Sequence, residues 1–384
     1  MKPVYLDHTA TTPLAPEVLE AMKPYFGESF GNASSIHSFG RQAKLALEES
    51  RETIAKSIGA GFDELFFTSG GTEADNHALR GVVEGGRKSG KNHLIVSAIE
   101  HHAILHPAKR LREEGVEVTI VAVDELGMVN PDEIRRAITP RTCLISVMHA
   151  NNEVGTIEPI AAIGAMGREH GIIVHSDAVQ TLGKIPVNAD GLNVDLLSFS
   201  AHKLYGPKGI GAIYIRKGTK IDPFLEGGAQ ESNRRAGTEN VPSAVGFAKA
   251  VELCGKYPEE SERLKALGKR LRQRISSELS GVIFNGHPME ALPNIVSISF
   301  DSKRRNVDGE ALIIGMDLRG VAVTSGSACT SGSLQPSHVL LAMGRDEATA
   351  RATIRFSMGR STTEGDIDYA VDALMDVLAK MNKN

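Results

Sequence analysis

Ser198-Phe199-Ser200-Ala201-His202-Lys203-Leu204-Tyr205-Gly206-Pro207-Lys208-Gly209 decides how this chain is read. An apolar strand over 194–199 delivers a hydroxyl, an imidazole and an amine in quick succession. The Gly-Pro turn that follows prevents a helix from continuing. This places Lys203 at a strand end, on the rim of a sheet. An amine there forms a Schiff base with an aldehyde if its surroundings keep it partly unprotonated. A single lysine in such a segment is more simply a solvated surface group, so the reading depends on what else gathers at strand ends.

Upstream, strands and helices alternate from about residue 65 to 173. That rhythm predicts an α/β fold with a mostly parallel sheet covered by helices on both faces. In such sheets ligands sit beyond the carboxyl ends of the strands. The polar clusters fall at those ends: Ser69 to Thr72, His101, Asn151 and Asn152, Asp177 and Gln180, and Ser200 to Lys203. In the first of them, Leu65-Phe66-Phe67-Thr68-Ser69-Gly70-Gly71-Thr72, an aromatic strand runs through a Gly-Gly turn into a helix extending to Gly81. A helix start with small residues favours an anion. Its plainer alternative is an ordinary turn with Thr72 as a cap.

One helix is predicted from Pro16 to Phe26, and an amphipathic one from Arg41 to Ile58. After Lys217 the rhythm changes to a Gly-rich loop (227–240) and a long helical stretch (241–279). A break at Tyr257-Pro258 is taken as the domain boundary. Residues 15–257 are expected to form a large domain; 1–14 and 258–384 a smaller α+β one.

The composition excludes several classes. Lys and Arg number 43 against 47 Asp and Glu, and this near balance without a basic stripe speaks against a nucleic-acid surface. No apolar signal core opens the chain and no later run is long enough to span a bilayer. The 3 cysteines, Cys143, Cys254 and Cys329, are too scattered for a disulfide framework or a zinc site, which makes a reducing cytoplasm the expected compartment. The 13 histidines show no metal-ligand spacing, so no metal is expected.

The strand-end residues match the needs of a pyridoxal 5'-phosphate site. Lys203 supplies the amine, Asp177 a carboxylate for the pyridine nitrogen, His101 a stacking ring, and Gly71-Thr72 an anion cradle. Ser200 and His202 add phosphate contacts, and Gln180 or Asn152 reaches the ring oxygen. Each has a structural rival: a cap, a surface histidine, a turn. Two further elements stand out. Thr324 to Ser333 surrounds Cys329 with small flexible residues, where a thiolate can move and react; an incidental cysteine in a surface loop is the alternative. Arg355, flanked by apolar residues on a strand, suits either a substrate carboxylate or an internal salt bridge.

Four motifs, namely Ser200 to Gly209, His149-Ala150-Asn151-Asn152-Glu153-Val154-Gly155, Asp177-Ala178-Val179-Gln180 and Ser325 to Gly332, resemble those of NifS/IscS-type cysteine desulfurases. These are class V, fold type I pyridoxal phosphate enzymes. The resemblance runs from Asp7-His8-Thr9-Ala10-Thr11-Thr12-Pro13 to Arg355-Phe356-Ser357. It implies a seven-stranded sheet in the large domain and conversion of L-cysteine to L-alanine with a persulfide left on Cys329. Sulfur would go on to an iron–sulfur scaffold or a tRNA-thiolation enzyme. By the same resemblance Lys203 bonds the cofactor, His101 stacks on it and moves protons, Asp177 pairs with its nitrogen, and Gln180 and Asn152 lie near its oxygen and the substrate. Gly71, Thr72, Ser200 and His202 hold the phosphate. Thr238 reaches the cofactor of a neighbouring subunit, making a homodimer, and Arg355 grips the substrate carboxylate. The chain departs from the pattern at His8-Thr9, and it is expected to lack the C-terminal tail of IscS-type members. A transaminase or selenocysteine lyase of the same fold is the rival activity; a non-catalytic sulfur carrier is a more distant one.

Overall fold

A computed structural model describes residues 3–326 and 335–381, apart from the side chains of Lys256 and Tyr257. In chain order the strands are β1 (Val4–Tyr5), β2 (Leu65–Thr68), β3 (His93–Ser97), β4 (Glu117–Val121), β5 (Thr142–Ser146), β6 (Ile173–Asp177), β7 (Leu196–Ser200), β8 (Gly211–Ile215), β9 (Val282–Asn285), β10 (Ile295–Phe300), β11 (Val321–Ala322) and β12 (Thr353–Ser357).

A 7-stranded sheet in the order β2-β8-β7-β6-β5-β3-β4 forms the centre. β4, β3, β5, β6 and β7 run parallel, and β8 is antiparallel to both β7 and β2. Every residue of β2, β3, β5, β7 and β8 is buried. Strands covered on both faces are mostly apolar, and the polar residues these carry, such as His93, Thr142 and Ser198, are buried with hydrogen-bond partners. One face is covered by the helices Gly71–Arg87 and His102–Glu113, through Leu79, Val82, Ile104 and Leu111. The other carries Ser38–Ser57, Ile160–His170 and Val241–Leu253, through Leu47, Ile54, Ile163 and Phe247. The chain goes from β3 out to β4 and then back to β5 on the other side. That reversal opens a crevice at the carboxyl ends of β3 and β5, where His101 and Asn152 follow.

A second, 3-stranded sheet, β12-β10-β9, is antiparallel. It shares a core with the helices Tyr257–Glu278 and Glu364–Met381, built on Leu271, Ile298, Phe356 and Leu374. β1 pairs in parallel with β11, so the N-terminus packs with the C-terminal lobe and then crosses to the large sheet.

Three local expectations are corrected. The helix expected over 16–26 is two, Pro16–Met22 and Pro24–Gly27, because Pro24 has no N–H to extend the first and starts the second. The helix starting at Gly71 continues past Gly81 to Arg87. A Cβ at Gly81 would lie 2.5 Å from the carbonyl oxygen of Asp222, so this glycine is a close-approach point and not a stop. The stretch 241–279 passes through a short 3-10 turn at Cys254–Lys256, and Pro258 sits in the first turn of the helix Tyr257–Glu278.

Candidate active site

β7 ends at Ser200, and a 3-10 turn over Ala201–Lys203 swings the lysine back across the strand ends. Its Nζ donates to the carbonyl oxygens of Thr9 and Ala10 at 2.6 and 2.7 Å. Burial, then the charge of Arg355, pulls Lys203 down to about 8, against the attraction of Asp177 and Asp7. Desolvation penalises the ammonium form, so an appreciable share of the amine is neutral near physiological pH.

Asp177 ends β6 and is buried; its Oδ1 accepts the Val179 N–H at 2.9 Å. Burial pushes it up to about 6, opposed by that hydrogen bond and by Lys203. His101 caps the helix His102–Glu113, with Nδ1 accepting the Ala103 N–H at 3.1 Å. A ring that accepts at Nδ1 carries its proton on Nε2 when neutral. Burial, then the Lys203 charge, lowers its pKa. His202 bonds Thr11 through Nδ1 at 3.1 Å and is held down to about 4, chiefly by burial.

These groups face one cavity of about 640 Å³. Its lining contains Lys203, Asp177, His101, Gln180, Asn152 and Arg355. Gly71, Thr72, Ser200 and His202 line it at the end where the helix Gly71–Arg87 begins. The first N–H groups of that helix have no intrahelical acceptor. A Cβ at Gly71 would fall 2.6 Å from Cγ2 of Val179, so only glycine leaves the cradle open. Gln180 donates to the Thr9 carbonyl at 3.0 Å and accepts from Lys184 at 3.1 Å. An anion cradle, a poised amine and a buried acid sharing one cavity fit a pyridoxal phosphate.

Arg355, on β12, is 4% exposed. It donates to Asp7 Oδ1 and Thr324 Oγ1 at 2.9 Å each and to the Asn152 carbonyl at 2.7 Å. The internal salt bridge weighed from the sequence is therefore present. Among the described residues its Nε has no hydrogen-bond partner, so the guanidinium retains a donor.

Two expected residues stand apart. Thr238 is exposed, in the loop before the helix Val241–Leu253, and is not part of the cavity wall. Cys329 lies outside the described residues, while Ser325 and Gly326, which lead to it, line the cavity. The sequence reading missed the Thr9 and Ala10 carbonyls and the Asp7 carboxylate, for which only a motif near the N-terminus gave a signal. It also missed Asp75 and Glu100. Asp75 sits in the first turns of a helix, where an acid reads as a complement to the helix dipole. His8, the departure from the family pattern, is buried, bonds the Ser357 carbonyl through Nδ1 at 3.0 Å and packs edge-on against Tyr5.

The model of the aminotransferase class-V family matches residues 4–370. The chain belongs to this family, in its cysteine desulfurase branch. A cysteine desulfurase IscS of Dictyoglomus turgidum is 51% identical over 98% of the chain and 95% of its own length. A second, of Methanosarcina thermophila, is 47% identical over 99% and 93%. Among solved structures, a NifS-like protein superposes with a TM-score of 0.91 at 38% identity, covering 98% of the chain and 99% of its own. A NifS-like protein from Rickettsia africae gives 0.88 at 31%, with the same coverage. Class-V aminotransferases of the desulfurase branch are pyridoxal phosphate enzymes, so the fold, cofactor and enzyme class expected from the motifs hold. Among the described residues no helix is long and apolar enough to cross a membrane.

Proposed function

We propose that the cavity is where L-cysteine gives up its sulfur to Cys329 and leaves as L-alanine, with Lys203, Asp177 and His101 doing the proton and charge work. The bound cofactor supplies the electron sink that makes the α-carbon of an amino acid acidic. Lys203 would hold the cofactor through its aldehyde and would take up the proton released at the substrate α-carbon; an amine pulled down to about 8 suits both tasks near neutrality. Asp177 would keep the ring nitrogen protonated. His101 would cover the ring and pass protons through Nε2. Gly71, Thr72, Ser200 and His202 would hold the phosphate, and Gln180 and Asn152 would orient the ring oxygen and substrate. Arg355 would bind the substrate carboxylate.

The observation that carries this reading is the meeting of Lys203, Asp177 and the Gly71 helix start on one cavity wall. Absorbance spectra with and without L-cysteine, with alanine detection, test it. The Cys329→Ala variant is expected to lose sulfide release while its spectrum still responds to L-cysteine. Undiminished turnover in that variant refutes the thiol's role; amino transfer to a keto acid in place of alanine and sulfide release would make a transaminase the better reading.

We assign residues 15–257 to the cofactor-binding domain and 1–14 with 258–384 to the smaller one, supported by the β1–β11 pairing and the separate cores. A homodimer with Thr238 reaching the partner's site is supported by the exposure of Thr238 and by Phe26, Phe30 and Ile36, exposed at 65%, 66% and 91%. The sulfur acceptor is an iron–sulfur scaffold or tRNA-thiolation enzyme, and the compartment the cytoplasm.

A further inference from the structure

Asp75, on the helix Gly71–Arg87, is 1% exposed and borders the same cavity beside Asp177. The charged groups acting on it are acids, Asp177 and Glu100; Ser198 supplies a hydrogen bond. The His175 ring lies 3.7 Å from its Oδ1. Both nitrogens of that ring already have hydroxyl partners at 2.9 Å, Ser146 at Nδ1 and Ser198 at Nε2. Burial holds His175 down to about 3, so it brings no positive charge. Among the described residues no lysine or arginine pairs with Asp75, and its Oδ1 has no hydrogen-bond partner.

Two acids in one buried site do not both ionise, and unequal surroundings decide which one does. Asp177 has the Val179 N–H and the attraction of Lys203. Asp75 has neither, and burial pushes it well above the ordinary carboxylate range. We propose that Asp75 is a positioning residue that retains its proton in the folded enzyme, so that the single negative charge of the acid pair resides on Asp177. The Ser198 hydrogen bond favours the ionised form and opposes this, but burial and then Asp177 outweigh it. Asp75 thus acts through Asp177, and the proposal rests on the reading of Asp177 as the partner of the cofactor nitrogen.

The test begins with cofactor-free protein, denatured at a series of pH values from about 6 to 8. The native chain holds a proton that the unfolded chain has released. The parent should therefore lose stability relative to Asp75→Asn as pH rises, by up to about tenfold in the folded-to-unfolded ratio per pH unit. Parallel curves overturn the proposal. Asparagine mimics the neutral acid, so Asp75→Asn should bind pyridoxal phosphate within about threefold of the parent, while Asp177→Asn loses about a hundredfold. Equal losses would put the charge on Asp75 and overturn the proposal. Unimpaired binding by Asp177→Asn would reject the Asp177 reading and leave the denaturation result standing. If Asp75→Asn does not fold, the carboxyl carbon signals of aspartate-labelled parent protein decide: one protonated aspartate at neutral pH is expected, and its absence refutes the proposal.

Discussion

Arg355 and Asp7 act on Lys203 with opposite signs, which makes the lysine's reactivity a measurable test of the site. Arg355 is, after burial, the largest influence lowering Lys203 from its ordinary 10.5 to about 8, while Asp7 raises it. At pH 7 a lysine of ordinary pKa is neutral in about one molecule in 3000, and one near 8 in about one in ten. Burial and charge together thus raise the reactive amine about 300-fold. Arg355→Gln removes one cation and should raise the midpoint by about one pH unit, the lower end of a neighbouring charge's effect. Cofactor uptake at pH 7 then slows about tenfold. Asp7→Asn removes the opposing charge and should shift the midpoint down. Each variant leaves polar contacts at the site, since Arg355 also bonds Asn152 and Thr324. The assay is the rate at which cofactor-free protein takes up pyridoxal phosphate, followed by absorbance across pH. An Arg355→Gln midpoint that stays put or falls, or the same direction of shift in both variants, refutes the reasoning.

Gly71→Ala should weaken pyridoxal phosphate binding by about tenfold or more, because its Cβ would meet Val179 at 2.6 Å and overpacking costs about 1–3 kcal/mol; unchanged affinity in a binding titration refutes the cradle. Glu158 is buried with Oε2 accepting the Val129 N–H at 2.8 Å and, among the described residues, Oε1 without a partner; burial pushes it up to about 8. The folded chain therefore keeps a proton that the unfolded chain loses above the ordinary value near 4.5. Stability falls as pH rises from there toward about 8, by up to about 1.4 kcal/mol per unit. Glu158→Gln should flatten that slope in chemical denaturation, and an unaltered slope contradicts it.

Much of the site was legible because its residues follow strands, and strands announce themselves as short apolar runs. His101, Asn152, Asp177 and Lys203 each sit just beyond such a run, and parallel strands bring their ends to one edge. Gly71 was legible through its turn. Asp75 was hidden because an acid near a helix start has an ordinary explanation. Asp7 was hidden because its partner, Arg355, lies 348 residues further along the chain.

The local pattern of residues determined which side chains stand at the strand ends and the order of the strands along the chain. It also placed a thiol among small residues near the C-terminus. Only the tertiary structure decided that the carbonyls of Thr9 and Ala10 hold the Lys203 amine, that Arg355 is paired with Asp7, and that Asp75 shares a buried site with Asp177. The reason is that ionisation depends on exclusion of water and on charges brought close from distant parts of the chain.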